Sequence, residues 1–180
     1  MRNKKDKLQF SDVITRYVVL VAVAIPNLWL FYFVFTPLTI YPIYYVLGQF
    51  FPVSLLSSKI LLINHQLPIE FIEACIAGAA YYFLLILNLS TPQIKLSDRI
   101  KMIFLSFFLL LTVNVIRITT LILMIYHDVA FFNVTHLLFW YLLSTVFVIA
   151  IWFFEVKLFK IKNIPFYSDL KFLHKKSILR

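Results

Sequence analysis

The stretch KMIFLSFFLLLTVNVIRITTLILMIY, residues 101 to 126, carries one charged side chain after its opening lysine, Arg117. At about 1.5 Å per helical residue, a run of this length reaches across the ~30 Å hydrocarbon core of a bilayer. Inside that core every backbone N–H and C=O needs a partner within the protein, so an isolated run of this kind folds as a helix. Runs of the same character cover residues 13 to 36, 74 to 90 and 136 to 159. They cannot all hide in a water-soluble core, because 62% of the 180 residues are hydrophobic, 20 are Phe and only 2 are Gly. The expected fold is an all-α, polytopic transmembrane helix bundle of about four main spans. It forms a single integral membrane domain over residues 1 to 180.

The basic start MRNKKDK precedes a run longer than a signal-peptide core and without a small-residue cleavage site, so 13–36 reads as a retained span. Pro26 predicts a kink inside it and Pro37 a stop. The second span ends before STPQIKLSDR, where Pro92 and the charges mark a loop. Residues 38 to 58, LTIYPIYYVLGQFFPVSLLSS, are apolar enough for a fifth span or a re-entrant segment. Their Pro42, Gly48 and Pro52 favour an aromatic-rich outer segment lying in the interface. KILLINHQLPIEFIEAC then reads as a short outer extended loop or hairpin.

Orientation follows from the basic residues, which give the chain a net charge of +9. With an inner N-terminus and four spans, the first cluster, the loop bearing Lys95, Arg99 and Lys101, Lys157 at the end of the fourth span and the basic tail 160–180 all fall inside. Of the 17 Lys and Arg, only Lys59 and Arg117 fall elsewhere. The expectation is a multi-pass protein of the cytoplasmic membrane with both termini cytoplasmic. Because the charges cluster beside apolar runs, they are matched to lipid headgroups, and nucleic acid is not an expected partner.

This topology puts three polar residues in the outer half of the bundle. Cys75, the only cysteine, opens the second span and His136 opens the fourth. Arg117 sits roughly 13 Å below the outer end of the third span. A lone cysteine in a membrane helix is ordinarily a small packing residue, and a histidine at a span edge is ordinarily interfacial. Arg117 is costlier, at ~2.5–3.5 kcal/mol on insertion scales, so it snorkels or faces a polar partner. Asn114 and Thr120, three residues to either side, extend it into a polar stripe expected to face the bundle interior.

Together the three suit nucleophilic catalysis. A thiol attacks as thiolate, which nearby positive charge favours. His136 would take the thiol proton and return it to a leaving amine. Arg117 would hold the thiolate or the developing oxyanion in a low-dielectric pocket. His127 is the rival base, and His136 is preferred because it begins a helix packed into the bundle. Glu73 precedes the thiol by two residues, and its role stays open. The small run Ala77 to Ala80 reads as a close-packing face. No metal and no cofactor is expected, since no Cys, His or carboxylate cluster has ligand spacing.

The order of these residues resembles the exosortase and archaeosortase family of polytopic membrane transpeptidases, closest to its small archaeal members, the pacearchaeosortases. The resemblance is carried by EAC at Glu73 to Cys75, NVIR at Asn114 to Arg117 and THLLFW with His136. It covers roughly residues 55 to 160, and it departs at Cys75-Ile76-Ala77-Gly78, where the family commonly has Cys-Ser-Gly. It implies Cys75, Arg117 and His136 as catalytic residues of a cysteine peptidase facing outside. The implied partners are substrate proteins ending in a short motif, a transmembrane helix and a basic cluster, cleaved through a thioester. The implied acceptor is a membrane lipid bearing an amine. Two other classes fit the residues: a small transporter or channel binding an anion at Arg117 and Asn114, and a membrane scaffold without chemistry.

Overall fold

A computed structural model describes residues 4–25, 28–92 and 94–161. The first expected span is divided in two. Helix α1 covers Lys4–Ala24, and α2 covers Trp29–Gly48 after Leu28, whose φ of 61° breaks the helical path. Pro26, expected as the kink, lies outside the described residues. Helix α2 runs through Pro37 and Pro42, so the stop expected at Pro37 does not occur. Each proline removes one ladder hydrogen bond, a loss that a helix packed among other helices tolerates. Residues 38 to 48 are therefore helical and belong to a membrane-length element, and only the remainder of 38–58 lies outside it.

Among the described residues, three helices are long and apolar enough to cross a membrane: Trp29–Gly48, Glu73–Ser90 and Leu96–Tyr126. Phe132–Tyr141 and Thr145–Leu158, bent by 47°, make a fourth when taken as one span. The apolar part of α1, Val13–Ala24, is shorter. Glu73–Ser90 is itself broken, into α3 (Glu73–Ile76) and α4 (Gly78–Ser90). Helix α5 is Leu96–Tyr126, five residues longer at its start than expected, and α6 is Phe132–Leu138. A π turn at Phe139–Leu143 leads into α7, Ser144–Leu158. Of the expected tail 160–180, only Lys160 and Ile161 are described.

The all-α expectation is corrected by a small antiparallel sheet between α2 and α3. Its strands are β1 (Val53–Ser57), β2 (Ile60–Ile63) and β3 (Leu67–Glu70), in the order β1-β2-β3. Asn64 and His65, both at positive φ (50° and 56°), turn β2 into β3, and the Gln66 N–H closes the turn on the Ile63 carbonyl at 3.1 Å. Two successive positive φ values match the right-handed twist of the paired strands. Leu61 and Ile63 point into the core, Asn64 Nδ2 donates to the Tyr126 hydroxyl at 2.7 Å, and Phe51 packs on the Tyr126 ring at 4.6 Å. The sheet is thereby pinned over the end of α5.

Aromatic packing fixes the helices below it. Tyr81 of α4 is fully buried, stacks on Phe35 of α2 at 3.6 Å and meets Phe107 of α5 edge-on at 5.5 Å. At the far end, α4 stops with carbonyls that lack helical partners. Arg99 Nη1 donates to the Asn88 and Leu89 carbonyls at 2.8 and 3.0 Å, and Arg16 Nη1 to the same Leu89 carbonyl at 2.9 Å. Both arginines are buried. They cap a helix inside the protein, where sequence assigned them to the headgroup surface.

Candidate active site

Cys75 sits in the four-residue helix α3, with its N–H donated to the Ile72 carbonyl at 2.9 Å. Ala77, at φ 60°, ends α3 and starts α4 in a new direction. The left-handed turn takes the Cys75 carbonyl out of the regular helical ladder, so it needs another donor. Asn114 of α5, 3% exposed, supplies the donor: its Nδ2 reaches the Cys75 carbonyl at 2.9 Å.

One helical turn beyond Asn114 on the same helix, half-buried Arg117 borders the same cavity as Cys75. The expected polar stripe is only partly realised. Thr120 is exposed and turns its hydroxyl back to the Ile116 carbonyl at 2.9 Å. Each step of three residues rotates the face by about 60°, so Thr120 stands about 120° from Asn114. His136 lies in α6 between two aromatic rings, parallel to Phe132 at 5.6 Å and tilted against Trp140 at 5.9 Å.

Cys75, Arg117 and His136 line one cavity of about 170 Å³, closed by Ile69 and Glu70 of β3, Ile72, Ile118 and Trp140. Three elements far apart in sequence supply them: α3, α5 and α6. His127, the rival base, is exposed at the end of α5 against the Tyr126 ring and is not among the lining residues. A neighbouring cavity of about 310 Å³ shares Ala74, Arg117 and Trp140 and is lined by Glu73, Tyr32 and the run Ala77 to Ala80. Arg117 thus borders both cavities. The small run does serve close packing at Gly78, where an added Cβ would lie 2.6 Å from the Tyr32 ring, but its alanines also form a cavity wall.

Two features have no counterpart in the sequence reading. One is the Asn114 contact with the Cys75 backbone, which exists only because the span breaks at Ala77. The other lies at the opposite end of the bundle, where Glu155, Asn88 and Ser106 are completely buried. There Asn88 Nδ2 donates to Glu155 Oε2 at 3.1 Å and to Ser106 Oγ at 3.3 Å. A glutamate within an apolar run was the available signal, since such a residue faces the bundle interior.

No protein-family model matches the chain, and neither does any curated protein or solved structure.

Proposed function

We propose that the protein is a membrane-embedded cysteine peptidase or transpeptidase of the exosortase and archaeosortase kind. Its support is a single arrangement: a thiol, a guanidinium and an imidazole, carried by α3, α5 and α6, line one cavity at the sheet end of the bundle. The Cys75 thiolate attacks a peptide carbonyl carbon, and Arg117 stabilises the negative charge that develops. As the C–N bond breaks, His136 delivers its proton to the leaving amine and a thioester remains on Cys75. An amine, or water, then attacks the thioester carbonyl. The new C-terminus leaves as an amide or an acid, and the sulfur is freed as thiolate.

The sheet end faces outward on this proposal. Gly48, Glu73, Tyr126 and Phe132 stand at that end of their helices, while Lys95, Lys101, Lys157 and Lys160 stand at the other. Excess Lys and Arg marks the cytoplasmic side. Replacing 13–36 by Trp29–Gly48 as the first crossing leaves this parity unchanged. The substrate class is an exported protein with a C-terminal motif, a transmembrane helix and a basic cluster, and the acceptor is a lipid amine.

Co-expression with a tagged protein of that design tests it, with mass spectrometry of the new C-terminus. Wild-type protein is expected to shorten the substrate, and Cys75→Ala to leave it intact while still accumulating in the membrane. Full processing by Cys75→Ala sinks the proposal in favour of a transporter or scaffold, for which Cys75 only packs.

A further inference from the structure

The sheet ends on an open strand beside the cavity. β3 pairs with β2 on one side, and among the described residues no strand lies on its other side. The phase of the pairing is set just past its end, where the Phe71 N–H donates to the Lys59 carbonyl at 2.8 Å, next to the pair Glu70 and Ile60. Hydrogen-bonded and non-hydrogen-bonded pairs alternate along an antiparallel ladder. Leu67, Ile69 and Phe71 therefore direct their backbone groups to β2, while Pro68 and Glu70 direct theirs to the open edge. Pro68 has no N–H to leave unpaired there, which is the position where a strand tolerates proline. What remains on the edge is the Pro68 C=O together with the N–H and C=O of Glu70, a residue that lines the Cys75 cavity.

A donor and an acceptor from one residue of a free edge match one residue of an extended peptide added antiparallel, the geometry of strand addition. We propose that the open edge of β3 is the docking strand for the substrate peptide. The peptide pairs with the Glu70 backbone as a fourth strand and carries its scissile bond past Cys75. This rests on the cysteine-peptidase reading above. Pro68 offers a carbonyl but no N–H, so two-way pairing stops on the side away from the cavity and recognition centres on the few residues nearest the thiol. Ile72, Ile118 and Leu121 make much of the cavity wall, so the peptide side chain that enters it is uncharged.

The test uses the full chain in nanodiscs and a cysteine-directed probe, an Ala-Ala-Ala acyloxymethyl ketone. The Cys75 sulfur displaces the probe's carboxylate and forms a thioether, and because the chain has one cysteine, labelling reports on that residue alone. Glu70→Pro deletes the outward N–H in a phase where the ladder to β2 loses no hydrogen bond. Its labelling by the ketone is expected to fall about tenfold, the scale of one lost main-chain hydrogen bond. Alkylation by iodoacetamide, which needs no strand pairing, keeps its rate. Leu55→Pro, in the same phase on the far edge of β1, keeps both rates. A probe N-methylated at the amide facing the Glu70 carbonyl loses a similar factor on the wild-type protein, with no variant to fold. Equal ketone labelling of wild type and Glu70→Pro overturns the proposal. So does an equal loss in Leu55→Pro, or a ketone-to-iodoacetamide rate ratio that falls as far in Glu70→Ala, which keeps the amide, as in Glu70→Pro. If iodoacetamide labels wild type and the ketone does not, strand docking fails alone; if neither reagent reaches Cys75, the nucleophile assignment fails with it.

Discussion

Arg117 is the residue on which the proposed chemistry depends most, because a cation fixed in a low-dielectric wall acts on the thiolate and the oxyanion with little screening. Arg117→Ala is expected to slow substrate processing by about 10²–10³-fold, the loss found when an oxyanion donor is removed. Arg117→Lys keeps the charge without the planar fork and falls between the two. Time courses of the processed fraction distinguish the three proteins, and an Arg117→Ala rate equal to wild type contradicts the role. Asn114 acts on the backbone. Asn114→Ala leaves the Cys75 carbonyl without its donor, which costs about 1–3 kcal/mol, read as a lower thermal midpoint. Cys75, Arg117 and His136 were legible in sequence because each is a polar residue set against an apolar run, and charge parity alone put them on one side. The Asn114 contact was not, because it depends on a left-handed φ at Ala77. Glycine or asparagine would have flagged that conformation, and alanine does not.

Between elements, the decisive contacts are those that seat α4 against its neighbours. Gly78→Ala drives a Cβ to within 2.6 Å of the Tyr32 ring, so α2 or α4 has to shift. The expected cost is about 1–3 kcal/mol, partly recovered in the double variant with Tyr32→Ala, and thermal unfolding of the three proteins in one detergent measures it. At the other end of α4, Arg99→Ala strips a charged donor from two buried carbonyls and is expected to cost about 1.5–3 kcal/mol. Helix positions for α4, α5 and α7 were readable because apolar runs of membrane length leave the backbone few alternatives. Helix α2 was misjudged at Pro37, since the rule that proline ends a helix is strongest in water, where no neighbouring helix compensates. The sheet was half readable: NHQLP signalled a turn between extended segments, while β1 lay hidden in the aromatic tail of an apolar run.

At the scale of the molecule, the proposed topology puts the sheet end and the far end on opposite faces of the membrane. In a Cys75→Ala background, Lys59→Cys is expected to react with an impermeant maleimide from one side of sealed vesicles and Lys101→Cys from the other. Reaction of both from one side overturns the parity on which the outward-facing site depends. The same partition separates chemistry from anchorage: the cavity hangs from α3, α5 and α6, and the buried polar cluster ties α4, α5 and α7. Only the π turn joins α6 to α7. Val148, Ile151 and Glu155 fix α7 in the core, so the rotation of α6 about its own axis is set by the residue count of that turn. A π turn accommodates one residue more than an α turn, and it works here as an indexing gear with a single surplus tooth. Removing that tooth by deleting Tyr141 would rotate the imidazole of His136 about 100° away from the thiol, leaving all three proposed catalytic side chains in the chain and the proposed nucleophile without its proposed base.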